Sequence, residues 1–307
     1  MFYLTVTELI LVILLIILTS FLFSNINLTK DKEAFNNKSD KKIERYAGSS
    51  IFDKNYVTIY DSLFYNKSKN DFEIFHILKN TDSQKTNRYL LDIGSGTGHH
   101  VNLFNKKNNF TAIGLDKSPS MIEFSKKKFP DNEYKLGNVL NSIEFPNGTF
   151  THITCLYYTI YYIKNKRLFF ANCFNWLIPN GVLIIHLVNK HKFDPVLPNS
   201  IITPGKSSSN SERDLSSKLK IKDISYRSKF ILDTPEKANG DEESNCIFRE
   251  TIKFNEKHTR VNEHKLYMEG QNKILSLAKD EGFILKNMVE MTDINYDHNY
   301  LYYLEKP

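Results

Sequence analysis

A short apolar segment of the chain runs directly into a cluster of glycines. Residues 88–93 read RYLLDI, the pattern of a compact buried strand, and Gly94, Gly96 and Gly98 follow at alternate positions. Glycines let the backbone bend sharply and let a ligand approach the main chain, and a helix beginning at His99 would offer free N–H groups in its first turn. The segment therefore predicts a ligand-binding strand–turn–helix unit. It is not a dinucleotide-binding G-x-G-x-x-G fingerprint, which would need glycine at position 99.

Apolar runs and helix-like segments alternate through the centre of the chain. Strands are predicted at 88–93, 110–115, 134–137, 150–157 and 182–188, and helices between them at 99–107, 118–128 and 165–177. Two further helices are predicted before them, at 51–65, which is rich in aromatic residues, and at 71–79. Strands that alternate with helices in this way indicate βαβ units and a parallel sheet with both faces covered.

The segment after residue 189 departs from this alternation. Residues 190–220 are rich in Ser and Pro and are predicted to form a flexible loop. Three β-like runs follow, the last two alternating as antiparallel strands with one wet face do: 224–232, 246–254 and 260–267. A helix at 272–279 and strands at 283–291 and 300–305 close the chain. Because a parallel α/β sheet has no place for the three runs, residues 190–267 are predicted to form an inserted loop and β lid.

Composition excludes several classes of protein. With 307 residues, 41% of them hydrophobic and 25% charged, the chain is neither disordered nor fibrous. Cys155, Cys173 and Cys246 are too few and too scattered for a disulfide framework or a Cys-rich zinc site, and no metal is expected; they favour a reducing compartment. The net charge of +6 comes from scattered Lys, which indicates a solvated surface and leaves open only weak attraction to anionic lipid or nucleic acid.

The N-terminus has the pattern of a membrane anchor. Residues 4–26 contain one charged residue, Glu8, and twenty-three helical residues would span roughly 34 Å at ~1.5 Å each. A cleaved signal peptide is the second alternative and would require a basic N-terminal region and a cleavage site with small residues. A soluble apolar tail is the third alternative. No Lys or Arg precedes the run and several Lys follow it, so the positive-inside rule predicts a single-pass protein with its C-terminal bulk in the cytosol. Residues 27–50 are interpreted as a polar tether and 51–307 as the main domain.

The strand and glycine turn of residues 88–98 resemble those of the class I S-adenosylmethionine-dependent methyltransferases. The likeness extends beyond the glycines: Asp116 ends the second strand, Gly137-Asn138-Val139 follows the third, residues 150–163 resemble the fourth strand and its loop, and 176–181 resemble the turn before strand five. The family's aromatic helix before the first strand is matched by 51–65. The resemblance covers roughly residues 50–189 and 270–306. It implies an α/β, Rossmann-like, seven-stranded sheet, mostly parallel with the last strand antiparallel, and a small antiparallel β insert after strand five.

The resemblance also implies a cofactor and the residues that bind it. The cofactor is S-adenosyl-L-methionine, with the acidic residue that ends the second strand taking both ribose hydroxyls and an aromatic residue of the first helix capping the ligand. Carried over residue by residue, the contacts are Asp92, Gly94, Ser95, Gly96, Gly98, Asp116, Lys117, Asn138 and Val139, with Tyr56 and Tyr60 as the capping candidates. Asn138 departs from the family's usual Asp, although its carbonyl can still accept a hydrogen bond from the adenine amino group.

The methyl acceptor is expected beside the loop after the fourth strand. Tyr157, Tyr161 and Tyr162 are predicted to face it, and Tyr158 and His186 are the candidates for orienting it and removing a proton, although a histidine in an apolar strand is often simply a core residue. The motifs of amino-directed and cytosine-directed nucleic-acid methyltransferases and of arginine methyltransferases are missing. The predicted function is methyl transfer to a small molecule or lipid by a monomer; a protein methyltransferase and a tethered cofactor-binding module without turnover are the alternatives.

Overall fold

The computed structural model describes residues 42–81, 87–193, 201–204, 212–221, 224–233, 245–255 and 257–307. The membrane anchor expected over residues 4–26, and the tether up to residue 41, lie outside these ranges. Within them, no helix combines the length and the apolar character that a membrane span requires.

The main sheet has seven strands among the described residues and follows the predicted alternation. Its members are β2 (Arg88–Ile93), β3 (Phe110–Asp116), β4 (Glu133–Leu136), β5 (Phe150–Cys155), β6 (Leu177–Val188), β12 (Ile284–Met291) and β13 (Tyr296–Glu305). Their order is β12-β13-β6-β5-β2-β3-β4. The pairs from β6 to β4 are parallel, whereas β13 runs antiparallel to both of its neighbours. The predicted mostly parallel, Rossmann-like sheet with an antiparallel last strand is confirmed.

The described residues form six α-helices: α1 (Lys54–Phe64), α2 (Lys67–Asn80), α3 (His99–Asn105), α4 (Pro119–Lys128), α5 (Lys166–Trp176) and α6 (Gln271–Asp280). The last five cover both faces of the main sheet, whereas α1 packs against Tyr226 and Ile252. Successive strand residues alternate between two cores: Leu91 packs in the cluster that α5 and α6 share, and Leu90 in the cluster that α2 and α3 share. The strands are apolar on both sides for this reason, as parallel strands are.

Four of the helices begin at a side chain that accepts a hydrogen bond from the N–H three residues further on. The capping residues are Asp53, Asn66, Ser118 and Asn165. Each cap pairs one of the backbone donors that a helix start leaves without a partner. At α4 the cap is followed by Pro119 in the first turn, as the sequence predicts.

A second sheet, which we call the insert sheet, contains strands on both sides of the main domain's sequence. Its members are β1 (Lys42–Ala47), β7 (Ile201–Pro204), β8 (Glu212–Ile221), β9 (Ile224–Asp233), β10 (Asn245–Lys253) and β11 (His258–Tyr267). The order among the described residues is β1-β11-β10-β9-β8-β7. All pairs are antiparallel except that of β1 with β11. The three runs predicted as antiparallel strands are confirmed.

Two expectations about this region are corrected. The Ser-rich stretch 190–220 is not only a loop, because β7 and most of β8 lie within it. The polar segment 27–50 is not a tether throughout, because residues 42–47 form an edge strand on β11. In both places the main chain hydrogen-bonds to a neighbouring strand. Main-chain groups can pair in this way whatever the side chains are, so segments that composition assigns to loops can also form strands.

Candidate active site

A cavity of about 450 Å³ lies where β2, β3 and β5 end, between the main sheet, α1 and the insert sheet. Open α/β sheets bind ligands in this crevice outside the carboxyl ends of their strands. The described residues that line it come from the glycine turn, from the ends of the strands, from α1 and from the insert. They include Ser95, Asp116, Asn138, Tyr60, Tyr157, Phe230 and His264.

The glycine turn leaves open volume at one end of this cavity. The backbone of Gly98 is left-handed, with φ +83°, and a Cβ there would lie 2.4 Å from the Tyr134 hydroxyl, so glycine is required for packing. Gly96 is also left-handed, at φ +53°, but a Cβ there would meet nothing closer than 4.0 Å. The space beside Gly96 therefore belongs to the cavity and is free for a ligand. Ser95 is buried beside it, and its hydroxyl has no protein partner among the described residues.

Asp116 holds the turn in shape from the neighbouring strand. One carboxylate oxygen accepts the N–H of Gly96 at 2.9 Å, and the other accepts the N–H of Ser118 at 2.8 Å. Burial raises the pKa of Asp116 in spite of these two hydrogen bonds. Each carboxylate oxygen can accept more than one hydrogen bond, so Asp116 can also receive two hydroxyl donors from the cavity.

Asp92, at the end of β2, faces the same space, but its buried carboxylate receives fewer hydrogen bonds than that of Asp116. Its carboxylate accepts the Thr154 hydroxyl at 2.8 Å. Burial raises the pKa of Asp92 to about 6, because few donors replace the water that a carboxylate loses on folding. A cationic group entering the cavity would stabilise the ionised form, so Asp92 fits the amino group of a ligand.

Replacing Asp92 with Asn is expected to stabilise the ligand-free protein at pH 7–8 by about 2 kcal/mol. Asp92 keeps its proton to a higher pH in the folded chain than in the unfolded one, so its contribution to stability is lost as the pH rises from about 4 through about 6. Thermal unfolding of wild type and Asp92→Asn between pH 4 and pH 8 checks this. The difference in stability between the two proteins should disappear near pH 4. A difference that is the same at all pH values would contradict the raised pKa of Asp92.

The other residues expected to bind the cofactor also line the cavity. Lys117, Asn138 and Val139 lie on the wall beside Asp116. The side-chain carbonyl of Asn138 accepts the N–H of Leu140 at 3.1 Å, which fixes its orientation. Tyr56 and Tyr60 both face the cavity from α1, but the Tyr56 hydroxyl is bonded to Glu250 at 2.6 Å.

The tyrosines after β5 divide between the cavity and the core. Tyr157, Tyr158 and Tyr162 line the cavity, and Tyr157 adopts a left-handed backbone with φ 49°. Tyr161 does not face an acceptor. Its ring is fully buried in the core, and its hydroxyl accepts the N–H of Val188. The expectation for Tyr161 is corrected, since a four-residue 3-10 turn cannot direct every side chain to one side.

His186 lies behind the cavity wall, outside the set of described residues that line it. Its imidazole is fully buried, Nε2 lies 3.0 Å from the Asn299 side chain, and its ring packs against that of Tyr158. Burial lowers the pKa of His186 to about 4. The structure thus favours the interpretation of a core histidine over that of a proton acceptor in contact with the substrate.

Three buried polar residues of the insert were missed by the sequence analysis: Glu250, His264 and Arg260. A usable signal exists in the alternation of β10 and β11. Cys246, Glu250 and Ile252 share the inward phase of β10, and Arg260, His264 and Leu266 share that of β11. A charged residue in the inward phase of an amphipathic strand is a buried polar group that needs a partner.

Comparison with known proteins agrees with this geometry. Residues 91–185 match the family described as "Methyltransferase domain". The fold is that of solved methyltransferases. A Clostridium acetobutylicum S-adenosylmethionine-dependent methyltransferase aligns with TM-score 0.58 and 18% identity, over 82% of this chain and 97% of its own. The amino pentose methyltransferase CalS10 of Micromonospora echinaspora, solved with S-adenosylmethionine bound, aligns with TM-score 0.55 and 15% identity, over 78% and 91%.

The match over residues 91–185 and the shared fold agree with the resemblance that the sequence motifs carry. A curated relative, the phosphoethanolamine N-methyltransferase of Plasmodium falciparum, is 26% identical over 165 residues, which are 52% of this chain and 57% of the relative. The chain thus spans a little over half the length of that relative. Among the residues that the structure describes, no group of three or more His, Cys, Asp or Glu side chains is arranged to hold a metal ion.

Proposed function

We propose that the chain transfers the methyl group of S-adenosylmethionine to a small-molecule acceptor. The observation that carries the proposal is the continuity of the cavity. The glycine turn and Asp116 line one end, and tyrosines of the β5 loop together with the inner face of the insert sheet line the other. A methyl donor and an acceptor can therefore meet inside one continuous space, which is what in-line transfer requires.

The residues at the first end fit the cofactor. Asp116 would hold the ribose hydroxyls, Asp92 the amino group, and Asn138 and Val139 the adenine, with the open volume at Gly96 receiving the main body of the ligand. When bound, the cofactor supplies an activated methyl group on a sulfonium. The chain's own task is to bind, to orient the acceptor and to exclude water.

The other end favours a small acceptor over a macromolecule. The insert sheet covers it with Phe230, Phe248 and Leu266, and Phe52, which precedes α1, covers it together with aromatic residues of α1. A cavity of about 450 Å³ roofed in this way is in the range of small-ligand sites. The likeness to a phosphoethanolamine methyltransferase supports an acceptor with an amine nitrogen.

We also propose that residues 4–26 anchor this domain to a membrane with the domain on the cytosolic side. The proposal rests on the uncharged run and on the Lys residues that follow it. Recovery of the full-length chain in the soluble fraction after lysis would contradict it, as would glycosylation at Asn37 in microsomes.

A tritiated-methyl transfer screen of the full-length chain against fractionated extracts tests the function. Label is expected in the small-molecule fraction, and phosphoethanolamine is the first pure compound to try. Label in the lipid or the protein fraction would contradict the proposed acceptor class. Binding of S-adenosylhomocysteine without transfer to any fraction would contradict turnover and favour a cofactor-binding module.

A further inference from the structure

An uninterrupted hydrogen-bonded chain leads from the acceptor end of the cavity to a buried carboxylate. The Tyr162 hydroxyl lies 2.8 Å from Nδ1 of His264, and Nε2 of His264 lies 2.7 Å from the Glu250 carboxylate. Tyr162 and His264 both line the cavity. Glu250 lies behind them on β10 and is fully buried.

Glu250 is held as an anion in spite of its burial. Its carboxylate also accepts the hydroxyls of Tyr56 at 2.6 Å and Tyr226 at 2.7 Å and the side-chain amide of Asn262 at 2.9 Å. Burial by itself would raise the pKa of Glu250, but His264 and the hydrogen bonds from Tyr56 and Asn262 outweigh it and lower that pKa. A buried carboxylate satisfied by four donors is a fixed negative charge beside the imidazole.

The partners of His264 determine where its proton lies in the neutral form. Glu250 can only accept, so Nε2 of His264 carries the hydrogen and Nδ1 is an acceptor. Tyr162 must then donate its hydroxyl hydrogen to Nδ1. The lone pairs of the Tyr162 oxygen are left to accept a hydrogen bond from a molecule in the cavity.

Aromatic rings shield the hydrogen bonds between Tyr162, His264 and Glu250 from water. Phe52 and Phe248 contact the His264 ring at centroid distances of 5.9 Å and 5.5 Å. His264 itself is only 3% exposed. A charge that develops on the imidazole would therefore be stabilised chiefly by Glu250, and that interaction is strong where water is excluded.

We propose that Tyr162, His264 and Glu250 together take up the proton that the methyl acceptor loses. This rests on the proposed function. As the acceptor atom bonds to the methyl carbon and the carbon–sulfur bond breaks, the acceptor's proton passes to the Tyr162 oxygen. The Tyr162 hydrogen passes to Nδ1 of His264, and the sulfur leaves as a neutral thioether with the electron pair. The imidazolium beside the Glu250 carboxylate is the proton's resting place until solvent removes it.

Tyr162 and His264 are the catalytic residues of this step, and Glu250 is a positioning residue. Tyr162→Phe, His264→Gln and Glu250→Gln are each expected to lower kcat by about 30- to 300-fold, in the range of general-base catalysis. KM for S-adenosylmethionine and the Kd for S-adenosylhomocysteine should stay within about threefold, because Asp116 and the glycine turn are untouched. The probe is phosphoethanolamine or, if wild type leaves it unmethylated, the extract fraction that takes up label.

Tyr226→Phe is the matched control. It removes an equally buried hydrogen bond to the same carboxylate, at 2.7 Å, from a side chain that does not line the cavity. Its kcat should fall by less than tenfold, because His264, Tyr56 and Asn262 still donate to the Glu250 carboxylate. Wild-type kcat in Tyr162→Phe, His264→Gln and Glu250→Gln would overturn the proposal. A loss of kcat in Tyr226→Phe as large as in His264→Gln would also overturn it, because a purely structural role would affect both variants alike.

A second measurement decides the proposal without any acceptor. Nitrogen NMR of histidine-labelled protein bound to S-adenosylhomocysteine should show His264, identified by its absence in His264→Gln, with hydrogen on Nε2 and an accepting Nδ1. Tyr162→Phe should shift the Nδ1 signal alone. Hydrogen on Nδ1, or on both nitrogens at the pH of turnover, would overturn the proposal. A wild type that transfers methyl to nothing would instead mark the failure of the proposed function.

Discussion

Asp116→Ala is expected to weaken S-adenosylhomocysteine binding by about 2–3 kcal/mol, or roughly 30- to 150-fold, because hydrogen bonds to charged groups are worth about that much. The carboxylate does two things at once. It accepts the N–H groups of Gly96 and Ser118, which shapes the turn, and it offers acceptors to the cavity. Alanine leaves the Gly96 N–H without its partner and removes the acceptors for a ligand diol. Isothermal calorimetry with the full chain measures the loss.

Asp116→Asn separates the two roles of this carboxylate. Its one carbonyl oxygen can still accept a backbone N–H, but the amide nitrogen cannot, so binding should fall between wild type and Asp116→Ala. Affinity for S-adenosylhomocysteine that is unchanged in Asp116→Ala would show that the cofactor lies elsewhere in the cavity. Binding of NAD in place of S-adenosylhomocysteine would exclude the assignment of the turn altogether.

Asp53→Ala is expected to lower the free energy of unfolding by about 3–5 kcal/mol, the usual cost of leaving a buried charge unpaired. The guanidinium of Arg260 is almost fully buried, donates to both oxygens of Asp53 at 2.9 Å and lies 3.7 Å over the ring of Tyr46. It also donates to the carbonyl of Ile51. Without Asp53 the positive charge keeps its place but loses its counter-ion, and α1 loses its N-cap.

Arg260→Met is the matched comparison. It should lower the free energy of unfolding by less, about 2 kcal/mol, through lost hydrogen bonds and packing. Asp53 is about one-third exposed, so water can solvate its carboxylate once the guanidinium is gone. The double variant should be less destabilised than the sum of the two single changes, because the unpaired cation is absent from it. Urea unfolding midpoints measure all three. Equal losses in the two single variants would contradict the asymmetry in burial.

Most of the residues that we propose bind the cofactor could be predicted from local sequence. The strand β2, the glycine turn and α3 are contiguous, so the residues that bend the chain and the N–H groups they expose occur within a dozen positions. Asp116 could be assigned because it ends the next strand, and the carboxyl ends of neighbouring parallel strands meet at one edge. The open space beside Gly96 is a direct consequence of a residue without a side chain.

The proposed acceptor end of the cavity depends on contacts between distant segments of the chain. His186 and Tyr161 looked available for chemistry, yet each is buried behind the wall, because a strand or a short turn sends some of its side chains into the core. Glu250 and His264 lie 88 and 102 positions from Tyr162 along the chain, and the insert sheet alone brings them to it. Alternation could show that they point inward but not which cavity they would face.

The chain by itself determined the parallel sheet, the glycine turn and the acidic residue that follows it, because periodicity and turn chemistry act over a few neighbouring residues. The tertiary structure alone decided that residues 42–47 join the insert sheet, that Arg260 pairs with Asp53, and that a buried carboxylate, Glu250, lies behind His264. Pairing between strands is satisfied by main-chain groups that every residue carries, so the sequence does not state which strand is the partner. Burial then changes what each side chain can do, and burial is a property of the folded molecule as a whole.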